Sequence, residues 1–172
     1  FPNNGDFRPK DYRPQAKQAA LKALELDPNL AEAHTSLAKI LFDYEYDFAG
    51  AEKSFKRAIE LDPNYASARQ FYSELLSASS RHDESIREIM KAGELDPFSL
   101  AINVVMVRYL ARAGRLDEAL LQNKKLNELF PDEAARFHFW NSSIYAEQGK
   151  YDLAVEERLL EVKARNGKPE NI

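Results

Sequence analysis

The chain has 172 residues, 44% hydrophobic and 30% charged, with a formal net charge of −4, an ordinary globular balance with enough apolar material for a core. It lacks the basic excess that displaces counterions from nucleic-acid phosphates. No apolar run nears the roughly 18 residues of a membrane span, and the longest, 102–110, is broken by Asn103 and Arg108. There is no cysteine, which excludes disulfides, thiolate metal sites and cysteine nucleophiles and favours a reducing, cytoplasmic setting.

Residues 1–12 read as a loop or linker. Arg13 to Leu26 predict one helix, with Pro14 suited to its first turn. It closes on the phrase Leu26-Asp27-Pro28-Asn29, which recurs as Leu61-Asp62-Pro63-Asn64, Leu95-Asp96-Pro97-Phe98 and Leu129-Phe130-Pro131-Asp132. The prolines fall 35, 34 and 34 residues apart (28 to 63, 63 to 97, 97 to 131). Between them each unit has one internal order. Residues 31–42 place Leu37, Ala38, Leu41 and Phe42 on one helical face. A polar and aromatic break follows at 43–47. A second helix then aligns Ala51, Phe55, Ala58, Ile59 and Leu61. Pro63 ends it, having no amide proton and clashing with the preceding turn.

The predicted units are therefore a half-repeat at 13–28 and hairpins at 31–63, 66–97, 100–131 and 134–166, with a linker at 167–172. Ala51, Ser85, Ala119 and Ala154 share one place early in the second helices, where a small side chain admits a close neighbour. Ala23, Ala58, Ala92 and Leu126 share another near their ends. Gly114 and Gly149 occupy the internal turn of the last two hairpins, as a left-handed residue would. Ser79-Ser80-Arg81 fills that place without glycine.

This pattern resembles the tetratricopeptide repeat, whose period is about 34 residues. Leu37, Leu41, Ala51, Phe55, Ala58 and Pro63 fill its signature well. Later copies are looser, with Asn123 and Arg158 in place of an aromatic. The resemblance covers residues 14–166. It implies an all-α, right-handed superhelical solenoid of antiparallel helix hairpins, about four repeats after a leading half-repeat. The wording of 43–52 and 57–61 is further similar to repeats attached to bacterial multidomain regulatory proteins, so the chain reads as a module of a larger protein.

The resemblance implies a protein-interaction scaffold that holds a peptide or protein in a concave groove lined by the first helices. Its groove positions fall on Thr35, Lys39 and Phe42, then Gln70, Phe71 and Glu74. The third hairpin supplies Val104, Arg108 and Arg112, and the fourth Phe139, Trp140, Ser143 and Glu147. Phe71 and Trp140 equally suit the core, since large aromatics are mostly buried. Arg108 and Arg112 equally suit a solvated helix face. The carboxylate clamp of chaperone-binding relatives is missing: its places carry Thr35, Lys39, Phe71, Ala101 and Val105. The alternatives are a homo-oligomer joined through terminal hairpins, or an accessory domain recruiting substrate to an enzyme. No catalytic residue, metal or cofactor is expected. His34, His82 and His138 lie in separate hairpins, with His34 and His138 reading as packing residues, and the glycines form no phosphate-cradling loop. Asn141-Ser142-Ser143 spells a glycosylation acceptor, but inside a helix that faces its neighbour.

Overall fold

The Leu-Asp-Pro phrase acts as a helix stop. In the computed structural model, which describes the backbone of residues 9–166 and the side chains of 14–166, α3 (Phe48–Leu61) ends where Asp62 turns extended, at φ −131°. A following proline disfavours the helical region for that residue. Asp27 and Asp62 then accept the backbone N–H of Asn29 and Asn64, both at 2.9 Å, so each turn is closed by its own aspartate. The next helix is tied back to the same turn. His34 Nε2 donates to the Pro28 carbonyl at 3.0 Å, Arg69 Nε to Pro63 at 3.1 Å, and Asn103 Nδ2 to Pro97 at 2.9 Å. Three different side chains do one job, six residues after the proline.

Helices α1 (Pro9–Leu26), α2 (Ala31–Ile40), α3, α4 (Ala66–Ala78) and α5 (His82–Leu95) belong to one compact unit, 1–95. A second, 96–172, holds α6 (Leu100–Arg112), α7 (Leu116–Leu129), α8 (Ala134–Glu147) and α9 (Tyr151–Asn166). The described residues form no strand. Within the first unit α2 pairs with α3 and α4 with α5; within the second α6 pairs with α7 and α8 with α9. The all-α hairpin architecture expected from the repeat is present.

The core of the first unit joins Ala38, Ala51, Phe55, Tyr72, Leu75 and Leu76. Phe55 is fully buried, its ring 6.1 Å from that of Tyr72. The small residues do what their spacing implied: Ala51, Ala58, Ala92 and Ala119 are completely covered, and Ser85 Oγ donates to the Ser73 carbonyl at 2.8 Å. In the second unit, Asn123 replaces an aromatic by chemistry and not by shape. Its buried amide donates to the Phe137 carbonyl and to Asn141 Oδ1, each at 2.7 Å.

The turn inside each hairpin has one left-handed residue: Tyr46 (φ 56°), Ser80 (φ 59°), Gly114 (φ 73°) and Gly149 (φ 73°). The last three are closed by an N–H reaching five residues back, from Arg81 to Leu76, Arg115 to Leu110 and Lys150 to Tyr145, each at 2.9 Å, the capping geometry that a left-handed residue permits.

Two expectations are corrected. The break predicted at 43–47 is mostly helical: Leu41–Glu45 is a π-turn continuing α2. The extra residue of this hairpin is absorbed there, and the closing bond, Asp47 N–H to the Leu41 carbonyl at 3.0 Å, spans six residues where the others span five. At the amino end, α1 begins at Pro9, so residues 9–12 are helical and not linker, and Pro14 lies inside the helix. The N–H that Pro14 lacks would have reached four residues back, to the helix's opening turn, so a single ladder bond is lost. The remainder of the amino-terminal linker, 1–8, and the linker at 167–172 lie outside the described residues.

Candidate functional site

Four of the predicted groove residues meet in the first unit. Lys39 of α2 donates through Nζ to Glu74 Oε2 of α4 at 2.7 Å, joining two successive first helices. A second bond, 3.2 Å, goes to Asp43 Oδ1 one turn along. The same ammonium lies 5.1 Å from the Phe71 ring centre and 5.5 Å from that of Phe42, within cation–π range. Burial alone would lower the Lys39 pKa. The bond and charge of Glu74, then those of Asp43, outweigh it and hold the ammonium above its ordinary value. Phe42 is fixed in turn by Phe48, edge to face at 5.5 Å. Phe42 and Phe71 are half-buried and pack on the core. One cation thus sits between two aromatic rings and two carboxylates, and the cluster carries one excess negative charge.

Thr35 does not join it. It is 3% exposed and its hydroxyl donates to the Ala31 carbonyl at 2.9 Å; its short side chain satisfies itself on its own helix and faces the interior. Gln70 is half-buried on α4.

In the second unit the predicted residues are more scattered. Arg108 is exposed, its guanidinium 5.4 Å from the Tyr109 ring, and Arg112 is exposed one turn further. Val104 is half-buried and Glu147 exposed. Phe139 and Trp140 touch edge to face at 6.2 Å, Trp140 half-buried, while Arg158 of α9 stacks 4.8 Å over the Phe139 ring. Ser143 is exposed, its hydroxyl donating to the Phe139 carbonyl at 3.1 Å. Asn141 is half-buried, and its amide is held by Asn123 and by Glu157 Oε1, at 3.3 Å. The nitrogen a glycan would need is engaged. His138 packs as expected, its Nδ1 2.6 Å from Glu157 Oε2.

Sequence reasoning missed Asp43, although its place four residues after Lys39 was a signal. It also missed a polar knot on the other side of the first unit. Glu52 of α3 accepts from Tyr72 Oη and Arg81 Nη1, each at 2.9 Å, and from Lys56 Nζ at 2.8 Å. Arg81 grips Glu84 with two further bonds of 2.7 Å. Burial would push the Glu52 carboxyl up, but the bonds from Lys56, Arg81 and Tyr72 hold it at about 2. No periodicity announces such a contact between hairpins.

Clefts also open between second helices. One, about 530 Å³, lies between α1 and α3 over a floor that includes Leu24, Leu37 and Leu41, with Lys53 and Arg57 on its wall. Another, about 450 Å³, lies between α3 and α5 and carries both signs of charge, among them the Arg69–Glu88 pair at 2.8 Å. Among the described residues no group of histidines and carboxylates could hold a metal ion, and no helix is long and apolar enough to cross a membrane.

Residues 31–65 match the family model of the tetratricopeptide repeat. No curated protein matches the chain by sequence. Among solved structures, the crystal structure of MamA superposes with a TM-score of 0.80 at 22% identity, covering 99% of both chains. YrrB, described as a TPR protein with an unusual peptide-binding site, gives 0.74 at 21% identity, over 91% of this chain and 80% of that one. The pilF protein of Pseudomonas aeruginosa gives 0.75 at 20%, over 90% and 70%. The chain shares their fold.

Proposed function

We propose that this chain is a non-catalytic protein-interaction module, part of a larger regulatory protein, that binds a peptide segment on the first-helix face of its first unit. The observation that carries the reading is the meeting of Lys39, Phe42, Phe71 and Glu74, residues from two helices brought into one cluster. The repeat at 31–65 and the peptide site ascribed to YrrB support it. Aromatic rings that already hold a cation, beside carboxylates in excess of it, favour a partner with a basic side chain next to an apolar one. Lys39 is then an internal placeholder and not a ligand contact, because its charge is already matched by Glu74 and Asp43.

Selection of a displayed random peptide library on the immobilised chain tests this. Basic and apolar peptides are expected to be enriched, with binding weakened by Phe71→Ala and by Glu74→Gln. Lys39→Met, which removes the competing cation, should tighten it. Enrichment that depends instead on Lys53 and Arg57 would move the site to the cleft between α1 and α3, and enrichment indifferent to all five residues would refute it.

A further inference from the structure

Helix α9 carries a strip of apolar side chains that nothing among the described residues covers. Val155, Leu159 and Val162 are 59%, 58% and 52% exposed, at spacings of four and three that align them on one face. The repeat register identifies that face. The equivalent places are Glu52, Lys56 and Ile59 in α3 and Leu120, Lys124 and Asn127 in α7. In α3 this is the side that meets the following hairpin, where Glu52 bonds Tyr72 and Arg81. In α7 it lines the cleft of about 360 Å³ shared with His138, Asn141 and Glu157. On α9 the same side is wholly apolar and open.

The charges beside the strip point to its occupant. Asp152, Glu156 and Lys163 run along one edge, and none makes a hydrogen bond or ion pair within the described residues. On the opposite edge Arg158 and Arg165 are both held by Glu161 of the same helix. The strip reads Val-Leu-Val, the same residue types in either direction, with spacings of four and three that differ by a single residue. When two copies pair antiparallel about Leu159, Val155 meets the partner's Val162 and the leucines meet each other. The partner's Lys163 then falls between Asp152 and Glu156, two acids one turn apart that otherwise repel. A two-fold interface needs one self-complementary patch, and this strip with its ordered charges is one.

We infer that α9 is a homodimerisation face, closed by a second copy of this chain in antiparallel register. It does not depend on the peptide reading, whose residues lie in the other unit. Light scattering over a concentration series should show the 172-residue chain in a monomer–dimer equilibrium. Leu159→Glu should shift the midpoint at least tenfold toward monomer, with helicity by circular dichroism unchanged. Leu121→Glu, at a comparably exposed leucine of α7, should leave it in place. Charge exchange tests the register. Lys163→Glu alone, and Asp152→Lys with Glu156→Lys, should each dissociate, and an equimolar mixture of the two should re-form a dimer. Monomer at every concentration, a dimer indifferent to Leu159→Glu, or no recovery in the mixture overturns the inference.

Discussion

Single residues set the hairpin turns. Tyr46 and Ser80 adopt the left-handed conformation that Gly114 and Gly149 adopt freely, and an L side chain there costs roughly 1 kcal/mol. Ser80→Gly should therefore stabilise the chain by about 0.5–1 kcal/mol, and Gly114→Ala should destabilise it by about 1 kcal/mol or more. Urea unfolding of the two variants checks both signs. Glu52 makes a pH-dependent contribution. Its carboxyl is held at about 2 against an ordinary 4.5, so the native state favours the charged form. That stability is complete above 4.5 and is lost as pH falls from 4.5 toward 2. Glu52→Gln should weaken the fold by about 1 kcal/mol at neutral pH and flatten the acid limb of a stability profile measured across that window. The glycines were legible in the sequence because their chemistry names their conformation. Tyr46 was not, because its exposed side chain disfavours the left-handed conformation that the turn closed by Asp47 and Leu41 takes there, and Glu52 was not, because two of its partners, Tyr72 and Arg81, lie 20 and 29 residues away.

At the scale of elements, the helices follow from periodicity and proline. The prolines fixed every carboxyl-terminal stop they were expected to fix, since a proline disfavours the helical region for the residue before it. Less visible was how a hairpin one residue longer keeps its packing. The π-turn at Leu41–Glu45 takes up the surplus, so α3 still presents Ala51, Phe55 and Ala58 inward. Deleting Tyr44 should convert this turn to the form of the other hairpins, with helicity kept and stability changed by no more than about 1 kcal/mol. Deleting Arg87 from the interior of α5 should unfold the unit, because it rotates Ile89 and Ala92, both fully buried, off the core face. Thermal melts followed by circular dichroism distinguish the two. The start of α1 misled for the opposite reason: Pro14 looks like a first-turn residue, yet the helix tolerates it further in.

For the whole molecule, the two units carry different surfaces. In the first, groove positions taken from the repeat register located Lys39, Phe42, Phe71 and Glu74, which do converge; the register could not foresee that Thr35 satisfies itself inward. In the second, the same register spreads Val104, Arg108, Arg112, Phe139, Trp140, Ser143 and Glu147 over two hairpins, and Phe139, Trp140 and Ser143, neighbours on α8, touch one another. Register gives the helix face, whereas side-chain length and local partners decide which residues on it touch. If the aromatic and acidic cluster of α2, its π-turn and α4 holds a peptide, the dissociation constant of a selected basic peptide will register it when the wild-type chain, Phe71→Ala and Glu74→Gln are compared side by side. Each substitution should weaken binding at least tenfold, about 1.4 kcal/mol, with the Glu74 effect shrinking as salt is raised. Identical constants for all three would contradict it.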